Sequence, residues 1–167
     1  MVTKSRKLPT NNSDSVSLEI EVLRGFRIVF NSVKAHFKNV EKISGLGGAQ
    51  LWALSVVANN PDIVVGQLAA SMDIHQTTAS NILKSLIDAG HIEAIRTPTD
   101  RRKISLRVGP LGIKVLKSAP EPFTGVLPDA LARLDRSTLL RLRKDLNALN
   151  KALSADKSGA KVPLANM

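Results

Sequence analysis

The sequence predicts a mainly α-helical fold with a small two- to three-stranded β-wing, an α+β class in which helices dominate. Three observations carry that expectation. Apolar residues recur at spacings of three and four through most of the chain, and only after Gly90 does the period change to two. Hydrophobic residues make up 43% of the 167 positions but aromatic ones only 3%, so a globular core has to be packed with aliphatic side chains. Cysteine is absent, which removes disulfides, thiol nucleophiles and thiolate metal sites together.

The elements follow in order. Residues 1–16 and 154–167 are polar, carry Pro or Gly and lack periodicity, and both ends are expected to be disordered. Between them, residues 17–153 form one domain. Its first helix, in 17–44, carries Leu18, Val22, Phe26, Val29, Val33, Phe37 and Val40 in one stripe and stops at the glycines of "SGLGGAQ". A second helix runs from about Ala49 to "NNP", with Leu51, Trp52, Leu54, Val56 and Val57. "IVVGQLAASM" reads as a short third helix with Leu68, Ala69 and Met72 inward. In the fourth, Ala79, Ile82, Leu83, Leu86 and Ile87 form a stripe that ends at Gly90, while Thr77, Ser80, Asn81, Lys84 and Ser85 lie opposite.

"IEAIRT" and "KISLRV" then alternate as two antiparallel strands, joined by "PTDRR". A fifth helix begins around "GPLG" and meets "APEPFTGVLP", whose prolines must kink or interrupt it. In the last helix Leu139, Leu142, Leu146, Leu149 and Leu153 are spaced three and four apart, an a/d seam. Such a seam buries against its own chain or against a second copy. Long stripes on both the first and last helices favour the second copy, with Leu18, Val22 and Phe26 on the facing side.

The chemistry is that of binding. Lys and Arg number 24 against 14 Asp and Glu, a formal charge of +10 that suits a polyanion. The longest apolar runs fall far short of the ~20 residues of a membrane span, and the basic N-terminus has no apolar segment after it, so a cytoplasmic protein without membrane contact is expected. His36, His75 and His91 are scattered without metal-ligand spacing and read as solvated or capping side chains; no metal or cofactor is expected. "GLGGAQ" is not a dinucleotide fingerprint, and no nucleophile, base and orienting group stand together, so an enzyme has nothing to work with.

Three helices followed by a two-stranded ribbon, with short polar side chains on the third of those helices, is the layout of a winged helix-turn-helix. A helix that enters the major groove needs such a face to reach base edges and phosphates. Gln76, Thr77, Thr78, Ser80, Asn81 and Lys84 meet that need on the helix. Arg96, Arg101, Arg102, Lys103 and Arg107 place charge on the ribbon, with no compensating acid apart from Asp100, which is expected to brace the turn.

At these residues the chain resembles the MarR family of bacterial transcription regulators, over roughly residues 18–153. "GAQLWALSVV" is similar to the family's second helix, "VGQLAASMDIHQTTASNILKSLIDAGHIEAI" to its helix-turn-helix, and "TPTDRRKISLRVGPLG" to its wing, with Asp100 and Arg102 in the D-x-R pattern. The resemblance implies a DNA-binding lobe at 47–112, dimerisation helices at 17–44 and 113–153, and a homodimer on a palindromic operator in double-stranded DNA. Repression is the implied mode. It also implies a small aromatic or phenolic effector between lobe and dimer region, near Phe30 and Trp52. Trp52 read on its own stripe is a core residue first. A sequence-independent nucleic-acid packaging protein and a protein-binding adaptor that no longer binds DNA share the charge and stay open.

Overall fold

The structure, a computed structural model of the chain, describes residues 13–97 and 100–166, with side chains at 18–96 and 104–165. Helices α1 (Ser13–Ser44), α2 (Gly48–Asn59), α3 (Val65–Ser71) and α4 (Gln76–Asp88) precede strands β1 (Ile92–Thr97) and β2 (Asp100–Val108). Helices α5 (Pro110–Ser118), α6 (Val126–Ala132) and α7 (Arg136–Ala152) follow, and two 3-10 turns, Lys157–Lys161 and Leu164–Asn166, close the described chain. Mainly helical, with one small antiparallel sheet, the architecture is that of the expected class.

One core joins α2, α3, α4, the sheet and α5. Helix α2 is apolar around most of its circumference and lies at the centre, with Leu51, Ala53, Leu54 and Val57 essentially removed from solvent. Leu68 of α3 and Ala79 and Leu86 of α4 are equally buried, and each large aliphatic side chain taken from water contributes about 1.5–3 kcal/mol. Helix α3 ends where Asp73 takes a left-handed φ of 50° and the Ile74 N–H donates to the Ala69 carbonyl at 3.0 Å. Gly90, at φ 73°, closes α4 in the same way, with His91 N–H donating to Leu86 O at 2.9 Å.

Three boundaries differ from the sequence reading. Ile63 and Val64 are not helical: Ile63 pairs with Leu106 in an antiparallel bridge, and α3 begins at Val65, where the Gln67 side chain accepts the Val64 N–H. That bridge is all there is of the third strand among the described residues. Second, β2 begins at Asp100, which pairs with Thr97, so Asp100, Arg101 and Arg102 belong to the strand rather than to its connection. The connection shrinks to Pro98 and Thr99, outside the described residues, beside a register shift at Arg96/Thr97. Third, the prolines after Ser118 do interrupt the helix, and the continuation divides into α6 and α7. Asp135 starts α7 by accepting the Thr138 N–H at 3.0 Å.

The C-terminal segment corrects an expectation outright. Residues 154–166 are not a loose tail: Pro163 is buried, and Ala165 packs on the core beside α1 and α2. Pro and Ala lose little side-chain entropy on ordering, so a short aperiodic segment can be held by a few contacts.

Candidate nucleic-acid interface

Helix α4 divides cleanly into two faces. Ala79, Ile82, Leu83 and Leu86 are buried, and Gln76, Thr77, Ser80, Asn81 and Lys84 are exposed, with Thr78 half-buried. The first turn holds no acid, so its free N–H groups and the helix dipole present a favourable end to phosphate. Ser80 donates its hydroxyl hydrogen to the Gln76 carbonyl at 2.8 Å, which leaves its oxygen as an acceptor. Asn81, Lys84, Ser85 and Asp88 line a shallow concavity on this face, and Ser80, Lys84 and Asp88 also border a furrow shared with Ile104 and Leu106 of β2. The fold therefore sets helix face and ribbon side by side.

Ser85 has a different task from its neighbours. It accepts a hydrogen bond from Gln50 Nε2 at 2.8 Å, while Gln50 Oε1 accepts the Gly47 N–H at 2.9 Å and caps α2. One side chain thus ties the start of α2 to the polar side of α4.

On the ribbon, Arg96 is exposed. The side chains of Asp100, Arg101, Arg102 and Lys103 lie outside the described residues, so only their place on β2 is known. Arg107 requires a correction. Its guanidinium donates twice to Asp62, from Nε to Oδ1 and from Nη2 to Oδ2, both at 2.8 Å. A compensating acid therefore exists, and Arg107 is engaged in a bidentate pair that fixes β2 to the α2–α3 connection. The Arg107 hydrogen bonds hold the Asp62 carboxyl below its ordinary range. Sequence reasoning missed Asp62 because its partner is 45 residues away, although "NNPD" marked a turn.

The histidines also need correction. His36 Nε2 and His91 Nδ1 are buried without a hydrogen-bond partner among the described residues, and His75 stands at the N-cap of α4 without a side-chain capping bond. Among the described residues no group of His, Asp and Glu is arranged to hold a metal ion, and no helix is long and apolar enough to cross a membrane.

The comparisons with known proteins bear on this geometry. A profile of the MarR family matches residues 44–103, the stretch from α2 through the start of β2. An HTH-type transcriptional regulator of Mycobacterium bovis is 30% identical over 100 residues, 59% of this chain and 70% of that protein. The chain belongs to the MarR family. A candidate transcriptional regulatory protein for the hcr operon of Thauera aromatica is 33% identical over 96 residues, 56% of this chain, and the match spans only 58% of that relative's length. Among solved structures, YusO of Bacillus subtilis has a TM-score of 0.52 at 18% identity, covering 85% of this chain and 99% of its own. BldR of Sulfolobus solfataricus has a TM-score of 0.51 at 21% identity, covering 87% and 99%. These two likenesses establish the winged-helix fold. The Mycobacterium bovis and Thauera aromatica relatives both carry names of transcriptional regulators.

Outside the lobe, this MarR-family chain leaves its leucine seam open. Leu139, Leu142, Leu146, Leu149 and Leu153 are 37–66% exposed, Leu18 61% and Val22 52%, so the seam is not buried within its own chain. Val22, Phe26, Leu142 and Leu146 line one apolar groove between α1 and α7, whereas Leu18, Leu139, Leu149 and Leu153 lie outside its walls. Phe30 faces that same groove, Phe26 stacking near it with ring centroids 6.3 Å apart. Trp52 does not. It lines an adjoining cavity of about 170 Å³ with Phe37, Met72, Ile74 and the C-terminal segment, and Val33, Phe37, Gly48 and Ala165 border both spaces.

Proposed function

We propose that the chain is a sequence-specific double-stranded DNA-binding transcription regulator that acts as a homodimer on a palindromic operator. The observation that carries this reading is the division of α4: a fully buried stripe behind, and Gln76, Thr77, Ser80, Asn81 and Lys84 exposed in front. Side chains of that length and polarity can exchange hydrogen bonds with base edges once the helix lies in the major groove. Arg96, with Arg101, Arg102 and Lys103 further along the ribbon, supplies charge to the flanking backbone or minor groove. Asp100 braces the turn, and Arg107 stiffens the ribbon through Asp62.

A palindrome follows from two-fold symmetry, because a dimer presents two copies of α4 at a fixed spacing. The exposed leucine seam supports the dimer, since α1 and α7 offer a second copy a continuous apolar surface. Repression is the mode proposed. A small aromatic ligand that favoured a different spacing of the two lobes would release DNA by the difference in its affinity for the two arrangements. The cytoplasm, where bacterial DNA lies, is the proposed location.

Selection from a random double-stranded DNA pool at stated salt tests the reading. A two-fold symmetric motif is expected. Binding of all sequences alike, with a steep salt dependence, would make the protein a packaging factor, and absence of binding would make it an adaptor.

A further inference from the structure

We propose that the C-terminal segment Asp156–Asn166 is an in-chain ligand of the cleft between α1 and α2, and that its seating there holds the long helix and the winged lobe at one angle. The functional consequence rests on the DNA-binding reading above; the seating does not.

The local chemistry of the chain turns the segment back. Helix α7 closes where Ser154 takes a φ of 50° and the Ala155 N–H donates to the Asn150 carbonyl at 3.0 Å. Asp156 then caps the next turn, accepting the Ser158 N–H at 2.9 Å, and the Val162 N–H donates to Gly159 O at 3.1 Å. These bonds deliver Pro163, Leu164 and Ala165 to the junction of α1 with α2, where Pro163 is buried.

The seat is shaped for them. A Cβ on Gly48 would fall 2.9 Å from the Ala165 Cβ and 2.2 Å from the Phe37 ring, so the first residue of α2 has no side chain because Phe37 and Ala165 occupy its place. Leu164 and Ala165 also border the α1–α7 groove, so the segment touches the long helix and the lobe and stands at the edge of the seam's groove. It fills a gap between two bodies whose relative angle decides how far apart the two copies of α4 stand. Few apolar side chains hold it, which puts its docking at the low-stability end of the structure and makes it displaceable.

Trp52 is the only tryptophan of the chain and lines the same cavity, so its emission reports the seat directly. The absence of cysteine allows spin labels at Asn39→Cys on α1 and Ala70→Cys on α3, diluted with unlabelled protein, to report the angle. A chain ending at Ala155 should show red-shifted, more quenchable Trp52 emission and a broadened label distance. Its affinity for the selected operator should fall about fivefold or more, within the usual range for coupled sites. A synthetic peptide of residues 155–167 should reverse all three changes, and Ala165→Glu in the full chain should reproduce them without truncation. Unchanged fluorescence and distance in both variants would overturn the proposal, as would operator affinity that stays level while both signals move. If the full chain selects no DNA sequence, the DNA-binding reading fails, and Trp52 emission and the label distance alone decide the seat.

Discussion

Gly112→Ala puts the packing of α5 on the winged lobe to a severe test. A Cβ at position 112 would lie 2.3 Å from the His91 carbonyl oxygen, 2.7 Å from Val108 Cγ1 and 3.0 Å from Leu54 Cδ1. The first of these is backbone with little room to yield: His91 O accepts the Gly109 N–H at 2.9 Å, and the His91 N–H is bound to Leu86 O at 2.9 Å. Helix α5 would have to lift from the lobe. Overpacking costs about 1–3 kcal/mol, and a rigid obstacle at this distance places the loss near 3. With a urea slope of about 1–3 kcal/mol per molar, the unfolding midpoint should fall by roughly 1–3 M without a change in slope. Gly66→Ala is the control, because nothing lies within 4 Å of the added methyl and the site is helical. It should stabilise by about 0.4–1 kcal/mol through the unfolded chain. Both variants should be compared with the parent at one protein concentration, since the proposed dimer would add to apparent stability. A Gly112→Ala midpoint equal to the parent's would refute the packing argument.

Leu142→Asp combined with Leu146→Asp places charge in the proposed seam, and sedimentation should report monomer or unfolded chain; an unaltered, folded dimer would remove the seam from the interface. Replacing Arg101 and Arg102 by Ala should make the slope of log affinity against log salt shallower by about 0.9 for each phosphate no longer neutralised, whereas Arg107→Ala, already paired with Asp62, should leave the slope unchanged. Asp100→Ala should weaken DNA binding although it makes the protein more positive, and a gain in affinity would show that Asp100 only repels phosphate. Hydrogen bonds from Ser137 and Thr138 hold the Asp135 carboxyl far below its ordinary 3.8, so its contribution to stability is full above that value and is lost progressively as pH falls from there through the lowered folded value. Asp135→Asn should therefore lower the melting temperature at pH 6 and converge on the parent at acid pH; a difference constant from pH 6 to 3 would sink the assignment.

Periodic elements were legible in the sequence, and elements held by distant partners were not. Ala79, Ile82, Leu83 and Leu86 mark the inner face of α4 because only an amphipathic helix places that spacing on one side, and the same arithmetic fixes which side chains face outward. The alternation of Ile104, Leu106 and Val108 located β2, but not its start at Asp100, because the charged residues there look like turn chemistry until a partner strand is supplied. Ile63 reads as helix for the same reason: its pairing with Leu106 is invisible without the fold. Asp62 and Arg107 stand far apart in sequence, so nothing local announces their pair. The C-terminal segment misled by composition. "KVPLAN" has too few apolar residues to nucleate an element, and its order comes from a seat that Phe37 and Gly48 of distant helices provide. Phe30 and Trp52 were placed together by family likeness, and they line adjoining cavities that meet at Phe37 and Gly48.

The reading of DNA by α4 is tested most directly by comparing the sequences that the parent, Thr77→Ala and Asn81→Ala each select from random duplex DNA at one salt concentration. Both side chains are exposed on the face opposite the core, so the variants should keep their fold and oligomeric state. Each should lose preference at particular positions, placed symmetrically about the operator centre, with about 1–3 kcal/mol of discrimination gone at each. Motifs from both variants that match the parent's at every position would contradict the account, because α4 would then not be the element that reads the bases.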